Sequence, residues 1–88
     1  MLYNVEFSKT ATEDWEFFKK DQKLKDRIKA LLKSIKETPF SGIGKPEPLR
    51  HDLSGYWSRK INSEHRIVYK VEKGVIIVIQ MRYHYKKK

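Results

Sequence analysis

The chain contains no cysteine, which excludes a disulfide framework and a thiolate-held metal. No apolar run approaches the ~20 residues that a membrane-spanning helix needs. Residues Met1–Phe7 lack the charged start and apolar core of a signal peptide, so the expected location is the cytoplasm, with no membrane partner. Proline and glycine are scarce, three and four in 88 residues. All but one of them fall between positions 39 and 55. Repeats and low-complexity segments are absent, and the length suits one small domain over residues 1–88. Acidic side chains are outnumbered, 11 against 20 Lys and Arg, for a net charge of +9. Four acids and one lysine in the first 18 residues make that stretch net −3, so the rest carries +12. A body this basic points to a polyanionic partner, most often nucleic acid.

What is present reads as an α+β domain. Tyr3, Val5 and Phe7 alternate with polar residues, as in a short strand. Thr10 with Glu13 matches a capping box and predicts a helix start there, with Ala11, Trp15 and Phe18 on one face. Asp21 reads as the N-cap of a second helix, whose buried stripe is Leu24, Ile28, Leu31, Leu32 and Ile35. Its remaining face is basic, with Lys23, Lys25, Arg27, Lys29, Lys33 and Lys36, and Pro39 ends it. Residues 39–55 are a loop long enough to suggest function rather than mere connection. Three strands are then expected: Tyr56–Ile61, one with Ile67, Tyr69 and Val71 alternating, and Val75–Tyr83. The expected fold is one strand, two helices and a three-stranded antiparallel meander, with the helices on one face of a twisted, mostly antiparallel sheet.

Three side chains could carry chemistry. Glu47 lies between Pro46 and Pro48, which hold its backbone stiff and extended, as suits a general base. Arg66 should project with Val68 and Lys70 onto the sheet face that the helices leave open, where a guanidinium can clamp a phosphate with two donors. His84 follows the last strand, in alternation with Ile76, Val78, Gln80 and Arg82, and an imidazole suits protonation of a leaving oxygen. Tyr85 beside it could stack on an RNA base. The three histidines, His51, His65 and His84, share no metal-ligand spacing, so neither a metal nor another cofactor is expected. Trp57 reads as core, although Ser54-Gly55-Tyr56-Trp57-Ser58-Arg59 could also border a binding surface.

These segments together resemble the YoeB branch of the RelE-type toxins. The resemblance rests on Thr38-Pro39-Phe40, Gly42, Gly44-Lys45-Pro46-Glu47-Pro48-Leu49, His51, Leu53-Ser54-Gly55, Trp57-Ser58-Arg59, Glu64-His65-Arg66, Val68-Tyr69 and Arg82-Tyr83-His84-Tyr85. It spans nearly the whole chain and implies a microbial-ribonuclease-like fold. It also implies a toxin of a type II toxin–antitoxin pair, an endoribonuclease that cuts mRNA on the translating ribosome without a metal. The implied roles are base for Glu47, phosphate-stabilising cation for Arg66 and acid for His84, with Tyr85 at the site. Lys45, Arg50, His51, Arg59 and Lys60 become candidates for RNA or ribosome contact, and Lys29 and Lys33 for docking on rRNA. The implied partners are ribosome-bound mRNA, rRNA, an acidic YefM-like antitoxin and a second copy of the chain. The sequence departs from the family in Lys86-Lys87-Lys88, a basic extension past the usual terminal tyrosine. Two other readings stay open: a relative of the RelE/ParE fold that poisons a protein target such as DNA gyrase without catalysis, and a basic RNA-binding module.

Overall fold

The computed structural model of the protein describes residues 2–83. The order of elements is β1 (Asn4–Phe7), α1 (Lys9–Phe18), α2 (Gln22–Glu37), β2 (Glu47–Pro48), a single 3₁₀ turn (His51–Leu53), β3 (Trp57–Lys60), β4 (Arg66–Glu72) and β5 (Val75–Gln80). The strands form one sheet in the order β1-β5-β4-β3-β2. The meander β3-β4-β5 is antiparallel, as its turns at residues 62–64 and 73–74 require. β1 joins β5 in parallel, since two helices intervene in the chain. The sheet has one more strand than expected: the glutamate–proline pair at 47–48, within the anticipated loop, adds to the free edge of β3.

Helix α1 begins two residues earlier than its capping-box pattern suggests. Ser8, not Thr10, is the N-cap; its Oγ accepts from the Ala11 amide at 3.0 Å and donates to the Ile79 carbonyl at 2.7 Å. The second bond explains the choice. Ser8 caps the helix and fastens its start to β5 in one step, whereas Thr10 faces solvent. Asp21 caps α2 as its sequence predicts, accepting from the Leu24 amide.

The two helices cover one face of the sheet. Ala11 and Phe18 of α1, and Ile28, Leu31 and Ile35 of α2, pack with Ile61, Ile67, Tyr69, Ile76, Val78 and Met81 into one buried cluster. Each fully buried aliphatic side chain contributes about 1.5–3 kcal/mol relative to exposure. Arg27 ties α2 to the end of β3 by donating to the carbonyls of Lys60 and Ile61.

The strand β5 departs from simple alternation. Val78 pairs with Tyr69, but Gln80 pairs with Val68, so Ile79 is an extra residue in the ladder. Strict alternation from Ile76 and Val78 would send Gln80 into the core. The bulge instead turns it to the open face beside Val68 and returns Met81 to the interior, fully buried. Among the described residues no helix is long and apolar enough to cross a membrane.

Replacing Ser8 by Ala should lower unfolding free energy in urea by about 1–3 kcal/mol, through loss of the cap and of the bond to Ile79. Thr10→Ala should stay within about 0.5 kcal/mol of wild type. Equal costs for the two would contradict the cap assignment.

Candidate active site

The side chains of the open face follow from strand register. Glu47 lies opposite Ser58, Ser58 opposite Val68, and Lys60 opposite Arg66. Paired residues share a face, so this row puts Glu47, Ser58, Lys60, Arg66, Val68 and Gln80 on the side away from the helices. Arg66 donates from Nη1 to Glu47 Oε1 at 3.2 Å and to Ser58 Oγ at 3.3 Å. The acid and the cation inferred from sequence are therefore in contact. The pair is open to water, with 60% of the Glu47 side chain and 43% of the Arg66 side chain exposed. An ion pair this exposed is worth about 0–1 kcal/mol, so an incoming phosphate can displace the carboxylate from the guanidinium at little cost.

Beside the pair is a cleft of about 710 Å³ lined by Ser63, Glu64, Arg66, Val68, Gln80 and Tyr83. Tyr83 brings the chain to this cleft one residue before His84. His84 and Tyr85 themselves, and Lys86–Lys88, lie outside the described residues. Among the described residues no group of three His, Cys, Asp or Glu side chains is placed to hold a metal ion.

The position of Glu47 depends on Arg59, and here the sequence expectation is corrected. Arg59 was a candidate for RNA contact, but its side chain is fully buried. It shares the helix-covered face with Trp57 and, through its register with Ile67, the core. Nε donates to Tyr69 Oη at 3.1 Å, Nη1 to Ser34 Oγ and the Ile43 carbonyl at 2.9 Å each, and Nη2 to the carbonyls of Thr38 and Ser41 at 2.7 and 2.8 Å. Tyr69 Oη in turn donates to the Pro39 carbonyl at 2.6 Å. Burial raises the Tyr69 hydroxyl above its usual pKa, with the neighbouring Arg59 cation opposing the rise. The guanidinium thus takes no part in a surface; it gathers the 38–43 segment around itself.

Two glycines let that segment pass. At Gly44, φ is +82°, and a Cβ would stand 2.6 Å from Leu31 Cδ2. Gly42, at φ +120°, would drive one into Ser34 Oγ. With this close approach, the Gly44 carbonyl accepts from the Lys60 amide at 2.7 Å, and the chain enters β2 in register with β3. Lys45 and His51, on either side of β2, adopt positive φ without being glycine, a cost that a fixed functional loop commonly bears.

The other expected contact residues are dispersed. Lys45, Arg50 and His51 are exposed around β2, and Lys60 stands half-buried beside Arg66. Lys29 and Lys33 are exposed on α2, behind the sheet, where they border an apolar groove with Leu2, Val5, Phe7 and Leu32. They do not share the cleft with Glu47. Two residues not singled out from sequence matter here: Asp14 and His65, which hold the chain between Met81 and Tyr83. Asp14 could have been suspected, because it sits one turn from Ala11 and Phe18 on the buried face of α1.

Two helices on one face of a small mixed sheet give the protein the fold of the small RelE-type toxins. Residues 7–85 match the family described as the YoeB-like toxin of bacterial type II toxin–antitoxin systems, and the chain belongs to that family. It is 48% identical over 84 residues to the toxin YoeB of Synechocystis sp., covering 94% of this chain and 98% of the other. Its fold is similar to that of YoeB in the heterotetrameric YoeB–YefM complex from Staphylococcus aureus, with a TM-score of 0.87, 45% identity, and coverage of 97% of this chain and 100% of that one. The YoeB dimer from the same organism gives a TM-score of 0.86 at the same identity and coverage.

Substituting Arg59 by Lys should cost about 3 kcal/mol or more in urea unfolding, because one ammonium cannot serve five acceptors and leaves a buried charge only partly paired. Arg66→Ala should stay within about 1 kcal/mol. A near-neutral Arg59→Lys would contradict the structural role.

Proposed function

We propose that this toxin is a ribosome-dependent endoribonuclease that cleaves mRNA without a metal and so stops translation. The observation that carries the reading is the contact between Glu47 and Arg66 at 3.2 Å on the rim of the cleft that ends at Tyr83. A ribose 2′-OH next to Glu47 loses its proton to the carboxylate and attacks the adjacent phosphorus in line. Arg66, released from Glu47 by the phosphate, stabilises the charge that builds on the phosphoryl oxygens. His84, next in the chain after Tyr83, protonates the departing 5′-oxygen, and Tyr85 supplies a surface for a splayed base. The products are a 2′,3′-cyclic phosphate and a 5′-hydroxyl. DNA lacks the nucleophile and does not react.

The openness of the site supports the dependence on the ribosome. A shallow, solvent-exposed pair positions substrate poorly by itself, and the ribosome supplies the ordering of mRNA into in-line geometry. Lys60, paired with Arg66, and Lys45, Arg50 and His51, exposed on either side of β2, serve as phosphate contacts. Lys29 and Lys33, on the far face, serve as a separate rRNA contact. In the cytoplasm the basic toxin is held by an acidic antitoxin of the YefM kind and pairs with a second copy, as the Staphylococcus aureus relatives do in their complex and dimer.

Glu47→Gln, Arg66→Ala and His84→Ala should each lower mRNA cleavage in a reconstituted translation reaction by about 10²–10⁴-fold, while each variant stays folded. Near-normal cleavage by Glu47→Gln would overturn the base assignment. Folded wild type that binds without cutting would favour a non-catalytic toxin or an RNA-binding module.

A further inference from the structure

Residues 81–83 are held by side chains from two other parts of the fold. Met81 and Arg82 donate their amides to one oxygen of the buried Asp14, Oδ2, at 2.9 and 3.1 Å. The Arg82 guanidinium lies over the Phe17 ring at 3.8 Å. The Tyr83 amide donates to His65 Nδ1 at 2.9 Å. Backbone amides of successive residues are thus fixed by side chains from α1 and from the β3–β4 turn.

His65 is itself fixed. Its own amide donates to Asn62 Oδ1 at 2.8 Å, and its carbonyl accepts from the amides of Ile61 and Asn62. Its ring meets the edge of Phe18 with centroids 5.1 Å apart, and only 12% of its side chain is exposed. Nε2 lies 3.4 Å from Glu64 Oε1. An imidazole that accepts at Nδ1 carries its proton on Nε2, the nitrogen that faces the Glu64 carboxylate. The arrangement fixes both the tautomer and the orientation of the ring.

We propose that His65 is a positioning residue: as the Nε2–H tautomer it holds the Tyr83 amide and so fixes the backbone from which His84 follows in sequence. This inference rests on His84 being the general acid. The rotation of one peptide plane displaces a side chain attached one residue further on, and misplacement of an acid by about 1 Å costs on the order of 10²-fold in rate. His65 touches no substrate in this account. It acts through the backbone.

Three substitutions separate positioning from simple support. His65→Asn keeps an acceptor on the γ-carbon where Nδ1 stands; His65→Gln keeps more volume but moves its acceptor one atom out; His65→Ala removes it. Four readouts are taken on each beside wild type: hydrogen exchange at the Tyr83 amide, the thermal midpoint, the cleavage rate at saturating ribosomes, and the half-saturating ribosome concentration. The Ala and Gln variants should lose protection at Tyr83 and cleave at least about tenfold more slowly, with the half-saturating ribosome concentration unchanged. Asn should keep the protection and most of the rate, even though it loses the ring's contact with Phe18. A rate that follows the thermal midpoint across the three, or full-rate cleavage by His65→Ala, would overturn the proposal. An unprotected Tyr83 amide in wild type would do so as well. Protection at Tyr83 in a wild type that cleaves nothing would instead defeat the nuclease reading, and the positioning role with it.

Discussion

A guanidinium buried without a carboxylate is the constraint on which this molecule's site depends. Arg59 is fully buried, and none of its five hydrogen-bond partners is acidic. A lone cation in an apolar interior is costly, and here the cost is offset by dipoles: three backbone carbonyls and two hydroxyl oxygens. Because three of those acceptors belong to residues 38, 41 and 43, satisfying the charge also shapes the loop. The carbonyls turn inward, Gly42 and Gly44 pass close over α2, and Gly44 meets Lys60. Only then does Glu47 fall opposite Ser58 and within reach of Arg66. The charge that shapes the loop is therefore on the opposite face of the sheet from Arg66.

Much of the fold was legible in the sequence because periodicity reports burial. The stripe of α2, the alternation of Ile67, Tyr69 and Val71, and the apolar run of β5 all pack as their spacing demands. The capping error has a physical origin: Thr10 and Glu13 satisfy a local pattern, but Ser8 gains a tertiary bond to Ile79 that no local pattern contains. The bulge at Ile79 and the two-residue strand at Glu47 were likewise unreadable, since both exist only through their partners in the ladder.

The geometry of the candidate site was legible in part. Glu47 and Arg66 could be named from backbone stiffness and strand alternation, and their contact follows from register. Arg59 was misplaced because it entered as a contact candidate with the family resemblance, although its alternation with Trp57 and Ile61 pointed inward. His65 was passed over because it lacked any metal or catalytic spacing. Its partner is a backbone amide 18 residues away, a relation that leaves no trace in composition. In this chain side-chain identity suggested the chemistry, while the supports of that chemistry had to be read from hydrogen bonds.

The central claim is a cleavage driven by the ribose 2′-OH, with Glu47 and Arg66 as its inner pair. The most direct test is the chemistry of the ends left on mRNA cut in a reconstituted translation reaction. The account predicts a 2′,3′-cyclic phosphate on the upstream fragment. It also predicts a 5′-hydroxyl on the downstream fragment that polynucleotide kinase labels without prior phosphatase. A 5′-phosphate on the downstream fragment, with a free 3′-hydroxyl upstream, would contradict it, since that outcome requires water rather than the ribose as nucleophile.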